Sequence, residues 1–224
     1  WQESAEKPTG LQGVKARDSR REGYGVTRVE ILDERGEKAL GKPAGTYVTV
    51  DLESFWSRKA GFFERAVRAV GEELKALLPP EGSVLVVGLG NAAMTPDAVG
   101  PQTLDSILVT RHLLRPMPKL FPGFRSVSVL RTGVWATGGL ESAELVGGAA
   151  ARIKRDFVVA VDARASRRLK RVCATIQLSD TGIVPGSGVG NSRSELSKKT
   201  LGVPVFAIGI PTVVDAATLA EDLV

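Results

Sequence analysis

Sulfur and imidazole are nearly missing from this sequence: among 224 residues, Cys173 is the only cysteine and His112 the only histidine. One thiol excludes an intrachain disulfide, and the usual cysteine and histidine zinc sets cannot be assembled, so a reducing cytosol is expected. A Ser-His or Cys-His nucleophile would have to use His112, which falls inside a segment expected to be helical, next to Arg111. Cys173, at the start of an apolar run, reads as a small buried hydrophobe. Long apolar runs are lacking too. No stretch reaches membrane-spanning length, and Trp1 to Arg21 carries no apolar signal core, so a soluble, unexported protein without membrane contact is expected. Neither sign of charge dominates: 30 Lys and Arg stand against 25 Asp and Glu, an ordinary globular surface that does not imply nucleic acid. The basic cluster Arg164, Arg167, Arg168, Lys170 and Arg171 reads as a solvated helix face or as a site for phosphate or an acidic polypeptide.

What is present is enough apolar residue, 43% of the chain, to bury one substantial core. Residues 1 to 22 are polar and lack hydrophobic periodicity, so they read as a flexible arm before a single domain at 23–224. Val26, Val29 and Ile31, then Tyr47, Val48 and Val50, suggest a small N-terminal β element. Ser57 to Leu78 has helical apolar spacing and ends at Pro79-Pro80. From Ser83, apolar runs at 84–89, 127–130, 157–161, 174–178 and 203–210 alternate with helical segments at 101–114, 142–154 and 194–201, and a last helix begins at Thr212. That alternation predicts a three-layer α/β/α domain around a mostly parallel sheet.

In such sheets ligands gather at the carboxyl ends of strands. Asp162 directly follows the run Phe157 to Val161, and Asp97 follows Val84 to Leu89 through a short loop. If those strands are neighbours, the two carboxylates face one another. Like charges at close range favour sharing one proton, which suits activation of water with protonation of a leaving group. The alternative is that Asp97 caps a helix and Asp162 anchors a loop. Gly88-Leu-Gly90-Asn-Ala-Ala93 has the G-x-G-x-x-A spacing of a dinucleotide fingerprint, but Thr95-Pro96 interrupts the helix such a fingerprint opens, and no cofactor is expected. A second glycine-rich loop, with Gly186, Ser187, Gly188 and Gly190, lacks the Lys-Ser/Thr of a P-loop. It reads either as a flexible connector or as a source of backbone N–H groups for an oxyanion or a peptide carbonyl. Trp135 either lines a cleft at the same sheet edge or lies buried under a loop.

Several separated motifs occur in one order: Val26-Thr-Arg-Val-Glu-Ile31, Val86-Val-Gly-Leu-Gly-Asn91, Thr95-Pro-Asp-Ala-Val-Gly-Pro101, Asp156-Phe-Val-Val-Ala-Val-Asp-Ala163, Pro185-Gly-Ser-Gly-Val-Gly-Asn191 and Pro211-Thr-Val-Val-Asp215. Together they resemble the germination protease family over nearly everything from Gly13 onward. The resemblance implies an atypical aspartic-type endopeptidase with a fold similar to the hydrogenase maturation proteases, and no metal, since no histidine lies in a loop comparable to the one those proteases use in metal recognition. Its substrates would be small acid-soluble spore proteins, and its setting the spore-core cytoplasm. It places the catalytic pair on Asp97 and Asp162, and implies a zymogen that assembles as a tetramer. Asn91 and the Gly186 to Gly190 loop would position the substrate backbone or stabilise the oxyanion. The chain departs from the family pattern in lacking segments before and after it, which suggests a fragment, a processed form or a short member. It departs again in having Asp162-Ala-Arg-Ala where Asp-Ala-Leu-Ala is usual, and Arg131-Thr-Gly-Val-Trp in place of a Pro-Gly-Val form. An inactive spore-protein-binding homologue and a phosphorylase-like enzyme are the competing readings.

Overall fold

The structure is a computed structural model that describes residues 10–186 and 193–223. One sheet contains β1 (Val14–Arg21), β2 (Tyr24–Ile31), β3 (Gly45–Asp51), β4 (Val84–Leu89), β5 (Val127–Gly133), β6 (Phe157–Ser166), β7 (Thr175–Ser179) and β8 (Val205–Val214). Their order across it is β1-β2-β3-β7-β8-β6-β4-β5. The helices are α1 (Glu34–Leu40), α2 (Phe62–Leu77), α3 (Val99–Thr103), α4 (Arg111–Leu114), α5 (Trp135–Gly138), α6 (Ser142–Ile153), α7 (Lys198–Leu201) and α8 (Ala216–Leu223).

The expected α/β layering is present, and its cause is legible in β4, which is buried at every position. A strand covered on both faces has no polar side to show. Leu85, Val87 and Leu89 join Val158, Ala160, Val205 and Ala207 beneath Val146 and Ala150 of α6. The intervening Val84 and Val86 point the other way, with Phe157, Val159, Val161 and Phe206, and are closed over by Leu104 and Leu77. Helix α2 continues this second layer across the N-terminal strands, where Ala66 and Ala69 meet Tyr24, Val26, Val48, Val50 and Leu178.

Strands β5, β4, β6 and β8 are parallel, whereas β7, β3, β2 and β1 pair antiparallel. The N-terminal β element therefore extends the main sheet, which is mixed. The link from Ser166 to Thr175 is shorter than the roughly dozen residues a parallel crossover needs, so β7 must turn back.

Other boundaries differ from expectation. The reading of 1–22 as an arm is corrected from Val14 onward, because β1 pairs with β2 along its whole length, from Val14↔Ile31 to Arg21↔Tyr24. Its side chains are mostly exposed, so it carries no apolar alternation; the backbone ladder holds it, as in many charged edge strands. Arg21 Nε donates to Glu73 Oε1 at 3.0 Å and Arg28 Nη2 to Glu73 Oε2 at 2.9 Å, tying β1 and β2 to α2. Residues 1–9 lie outside the described residues. The helix expected over 101–114 is broken into α3, a 3-10 turn at Leu104–Ser106 and α4. Ile107 is extended there, and the Thr110 hydroxyl, bonded to Arg125 O and accepting Val127 N–H at 2.9 Å, fastens the break to β5. Of the helix expected over 194–201, only Lys198–Leu201 forms, and β8 runs on to Val214 before α8 begins. No helix among the described residues is long and apolar enough to cross a membrane.

Candidate active site

The pairing of β4 with β6 ends at Gly88↔Val161, but β6 and β8 stay paired from Asp162↔Gly209 to Ser166↔Val214. Asp162 is thus inside β6, not beyond its end as expected, at the level where β4 has turned away and a crevice opens. Alternation along the strand puts Asp162 and Arg164 on the face of Val158 and Ala160, toward α6.

Asp97 reaches the same crevice through the loop after β4. Gly90, with φ of 107°, lies so close to it that a Cβ would fall 2.2 Å from Asp97 O and 2.8 Å from its Oδ1. The Asp97 carboxylate accepts the Asn91 N–H at 2.7 Å, and Asn91 Oδ1 accepts the Ala93 N–H at 2.9 Å, closing the turn on itself. Helix α3 then sits directly on the sheet edge at Gly100, where a Cβ would come within 2.2 Å of Leu89 O and 2.5 Å of Val161 O. A Cβ at Gly88 would likewise fall 2.5 Å from Gly100 O, so the glycines of the G-x-G-x-x-A spacing, with Gly100, are a packing device that lets α3 and the Asp97 loop close down on β4 and β6.

Asp97 and Asp162 line one cleft of about 320 Å³, with Arg164, Trp135, Glu141, Gly186 and Arg193 around them. The Asp162 side chain is only 8% exposed. Burial pushes its carboxyl up to about 6; the Arg164 cation opposes that rise and the charge of Asp97 adds to it. Arg164 is 5% exposed, with Nη1 3.9 Å from Asp162 Oδ2. Its Nη2 is buried with no hydrogen-bond partner among the described residues, and burial holds the guanidinium below its usual range, with Asp162 partly offsetting.

The far wall is polar and aromatic. Trp135 is about half exposed, and the Arg193 guanidinium lies 4.9 Å over its ring. Glu141 caps α6 and accepts the Ser194 N–H at 3.0 Å; hydrogen bonds from Ser194 hold its carboxyl below the usual range. Both contacts fasten the returning end of the glycine-rich loop to the start of α5 and α6.

Of the residues singled out from the sequence, Asp97, Asp162, Gly186 and Trp135 meet at this cleft. Asn91 is not among the residues lining it, and its side-chain oxygen serves its own turn. Ser187, Gly188 and Gly190 lie outside the described residues. Cys173 is exposed at a φ of 53°, where a buried hydrophobe was expected, because the chain turns sharply between β6 and β7. The basic cluster is not one helix face: Arg164 is buried in β6, Lys170 and Arg171 belong to a 3-10 turn, and Arg168 Nη1 lies 3.6 Å from Asp222. Sequence reasoning missed Arg164, Glu141 and Arg193 as cleft residues. For Arg164 a signal existed, since two positions along a strand share a face. Among the described residues no three His, Cys, Asp or Glu are grouped to hold a metal ion.

Two carboxylates thus line one cleft, and burial raises the carboxyl of one of them. The sequence model of a family described as germination protease matches residues 2–224. The germination protease of Caldanaerobacter subterraneus subsp. tengcongensis is 48% identical over 221 residues, which is 97% of this chain and 68% of that protein. Those of Bacillus cytotoxicus and Bacillus mycoides are 44% identical over 229 aligned positions, 100% of this chain and 62% of each relative. The chain thus spans about two thirds of the length of these relatives. Among solved structures, the NiFe hydrogenase maturation protease HycI from Thermococcus kodakarensis aligns with a TM-score of 0.42 at 19% identity, over 67% of this chain and 91% of that one.

Proposed function

The chain belongs to the germination protease family, a family of peptidases, and from that premise we propose that it is an endopeptidase that hydrolyses small acid-soluble spore proteins with Asp97 and Asp162. The observation that carries the reading is the convergence of two carboxylates on one cleft, one from β6 and one from the loop after β4, with the buried member raised to about 6.

The chemistry follows from that asymmetry. Asp162 holds the proton, because ionising it in its buried position is costly. Asp97, half-buried and oriented by the Asn91 N–H, is the base. Water in the cleft gives a proton to Asp97 as its oxygen bonds to the scissile carbonyl carbon, and Asp162 gives its proton to the carbonyl oxygen. The resulting gem-diol collapses when Asp97 returns its proton to the amide nitrogen and Asp162 recovers one from a hydroxyl. The C–N bond breaks, an acid and an amine leave, and the pair is restored. Backbone N–H groups of the loop from Gly186 through Ser187, Gly188 and Gly190 are assigned to hold the substrate main chain, and Asn91 acts by orienting Asp97. Zymogen processing, tetramer assembly and a spore-core location belong to the same proposal and rest on family membership alone.

The test is cleavage of a purified small acid-soluble spore protein by this chain and by its Asp97→Asn and Asp162→Asn variants, with folding checked by circular dichroism. Each variant is expected to lose about a thousandfold or more in kcat. Cleavage that persists in either variant removes that residue from the mechanism; a folded parent that binds the spore protein without cutting it supports a binding role instead.

A further inference from the structure

A buried guanidinium ordinarily has its N–H groups paired, because an unpaired charged donor away from water is costly. Arg164 breaks that rule inside the cleft. Its side chain is 5% exposed, its Nη1 is 3.9 Å from Asp162 Oδ2, and its Nη2 has no partner among the described residues. The separation at Nη1 is too long for a good hydrogen bond, so the pair is held side by side without closing on itself.

Position and backbone explain how the side chain is aimed. Arg164 shares a strand face with Asp162, and its stem lies across the neighbouring strand at Gly209, where a Cβ would fall 2.9 Å from Arg164 Cγ and 3.3 Å from Cδ. Only a residue without a side chain at 209 lets the arginine lie flat and bring its head beside Asp162. The strand partner of Asp162 is Gly209 itself, so the acid, the glycine and the guanidinium form one unit at the base of the cleft.

We propose that Arg164 is a catalytic residue, an electrophile whose free Nη2–H donates to the scissile carbonyl oxygen while Asp162 delivers its proton to the same atom. This inference rests on the two-aspartate reading above. An sp² oxygen has two lone pairs, and a substrate carbonyl entering between the two groups satisfies both: the N–H donor takes one lone pair, the acid proton the other. As water adds to the carbon and the C=O bond opens, negative charge accumulates on that oxygen, in a site where little water screens it. A preorganised cation there stabilises the transition state more than the bound substrate, which lowers the barrier without tightening binding. No proton leaves the guanidinium at any step. Arg164 also gives the buried position a function for its cost, since the Nη2 group left without a partner in the free protein gains one once substrate arrives.

The experiment compares kcat and KM for cleavage of a small acid-soluble spore protein by the parent chain, Arg164→Met, Arg164→Lys and Arg164→Ala, with Asp162→Asn run alongside. Arg164→Met keeps the stem over Gly209 and removes the charge; Arg164→Lys keeps a charge in case the methionine variant does not fold. The expected result is a fall in kcat of about a hundredfold in Arg164→Met, with KM changed less than about twofold. A partial fall is expected in Arg164→Lys, together with partial recovery of kcat in Arg164→Ala when guanidinium ion is added at non-denaturing concentration. Higher KM at unchanged kcat would overturn the proposal and make Arg164 a contact for a substrate side chain. Unchanged kinetics, or loss without guanidinium rescue in folded Arg164→Ala, would overturn it as well. If Asp162→Asn cleaves as fast as the parent, the two-aspartate reading fails first, and that outcome is recognised independently of any Arg164 variant.

Discussion

At the scale of the residue, Asp162 links function to stability. Its carboxyl is raised by burial from an ordinary 3.8 to about 6, so the folded chain binds this proton more tightly than the unfolded chain. Stability from this group is therefore fully present below about pH 4 and lost as pH rises through about 6, a difference of about 3 kcal/mol. Asparagine has the shape of the protonated acid and cannot ionise. Asp162→Asn is accordingly expected to be more stable than the parent at pH 7, by several degrees in thermal unfolding, and indistinguishable from it near pH 4. A lower Tm at pH 7 would contradict the assigned environment. The same proton sets the rate. Hydrolysis requires the pair to hold one proton, so kcat/KM should fall on the alkaline side with an apparent pKa near 6, belonging to the pair, and fall again in acid when both carboxyls are protonated. A profile flat from pH 5 to 8 would exclude the shared-proton mechanism.

At the scale of the element, the site is made by close approach of a helix to a sheet edge. Helix α3 contacts Leu89 O and Val161 O through Gly100, at distances that leave no room for a methyl group. Gly100→Ala is expected to cost about 3 kcal/mol in urea unfolding, at the upper end for overpacking, because the atoms it meets are backbone and cannot swing aside. The same variant should lose activity even under conditions where it remains folded, since lifting α3 moves the adjoining Asp97 loop away from Asp162. Full activity in a folded Gly100→Ala would show that the loop is positioned by something other than α3. Element boundaries also show where local pattern was insufficient. The sequence marked the apolar half of β6 correctly, but the charge of Asp162 put it at the strand's end and that of Arg164 put it in a basic cluster read as a helix face; pairing with β8 carries the strand to Ser166 all the same. Strand β1 was invisible for the complementary reason, being exposed and charged and held by its ladder to β2 and by Glu73.

At the scale of the whole molecule, the eight strands divide into a parallel half bearing the cleft and an antiparallel half without it, joined where β7 meets β8 over only Gln177↔Gly209, Leu178↔Ile208 and Ser179↔Ala207. Leu178 is fully buried at that seam and belongs to the cluster under α2. Leu178→Ala is expected to destabilise the fold by about 3 kcal/mol, by lost burial and the cavity left behind. If the two halves fold as one unit, denaturant unfolding of this variant stays a single transition by tryptophan fluorescence and by circular dichroism; two transitions would mean that the seam, not the core, limits cooperativity. The α/β class, the buried parallel strands, the layer-forming helix α6 and the placing of Asp97 and Asp162 after apolar runs were fixed by amino-acid order, because burial on both faces imposes a local pattern that can be read without knowing the neighbours. The joining of the N-terminal strands to the main sheet, the packing role of Gly88, Gly90 and Gly100, and the continuation of β6 along β8 past Asp162 were decided only by tertiary structure. Each depends on which distant backbone lies alongside, and that contact leaves no periodic trace in the sequence.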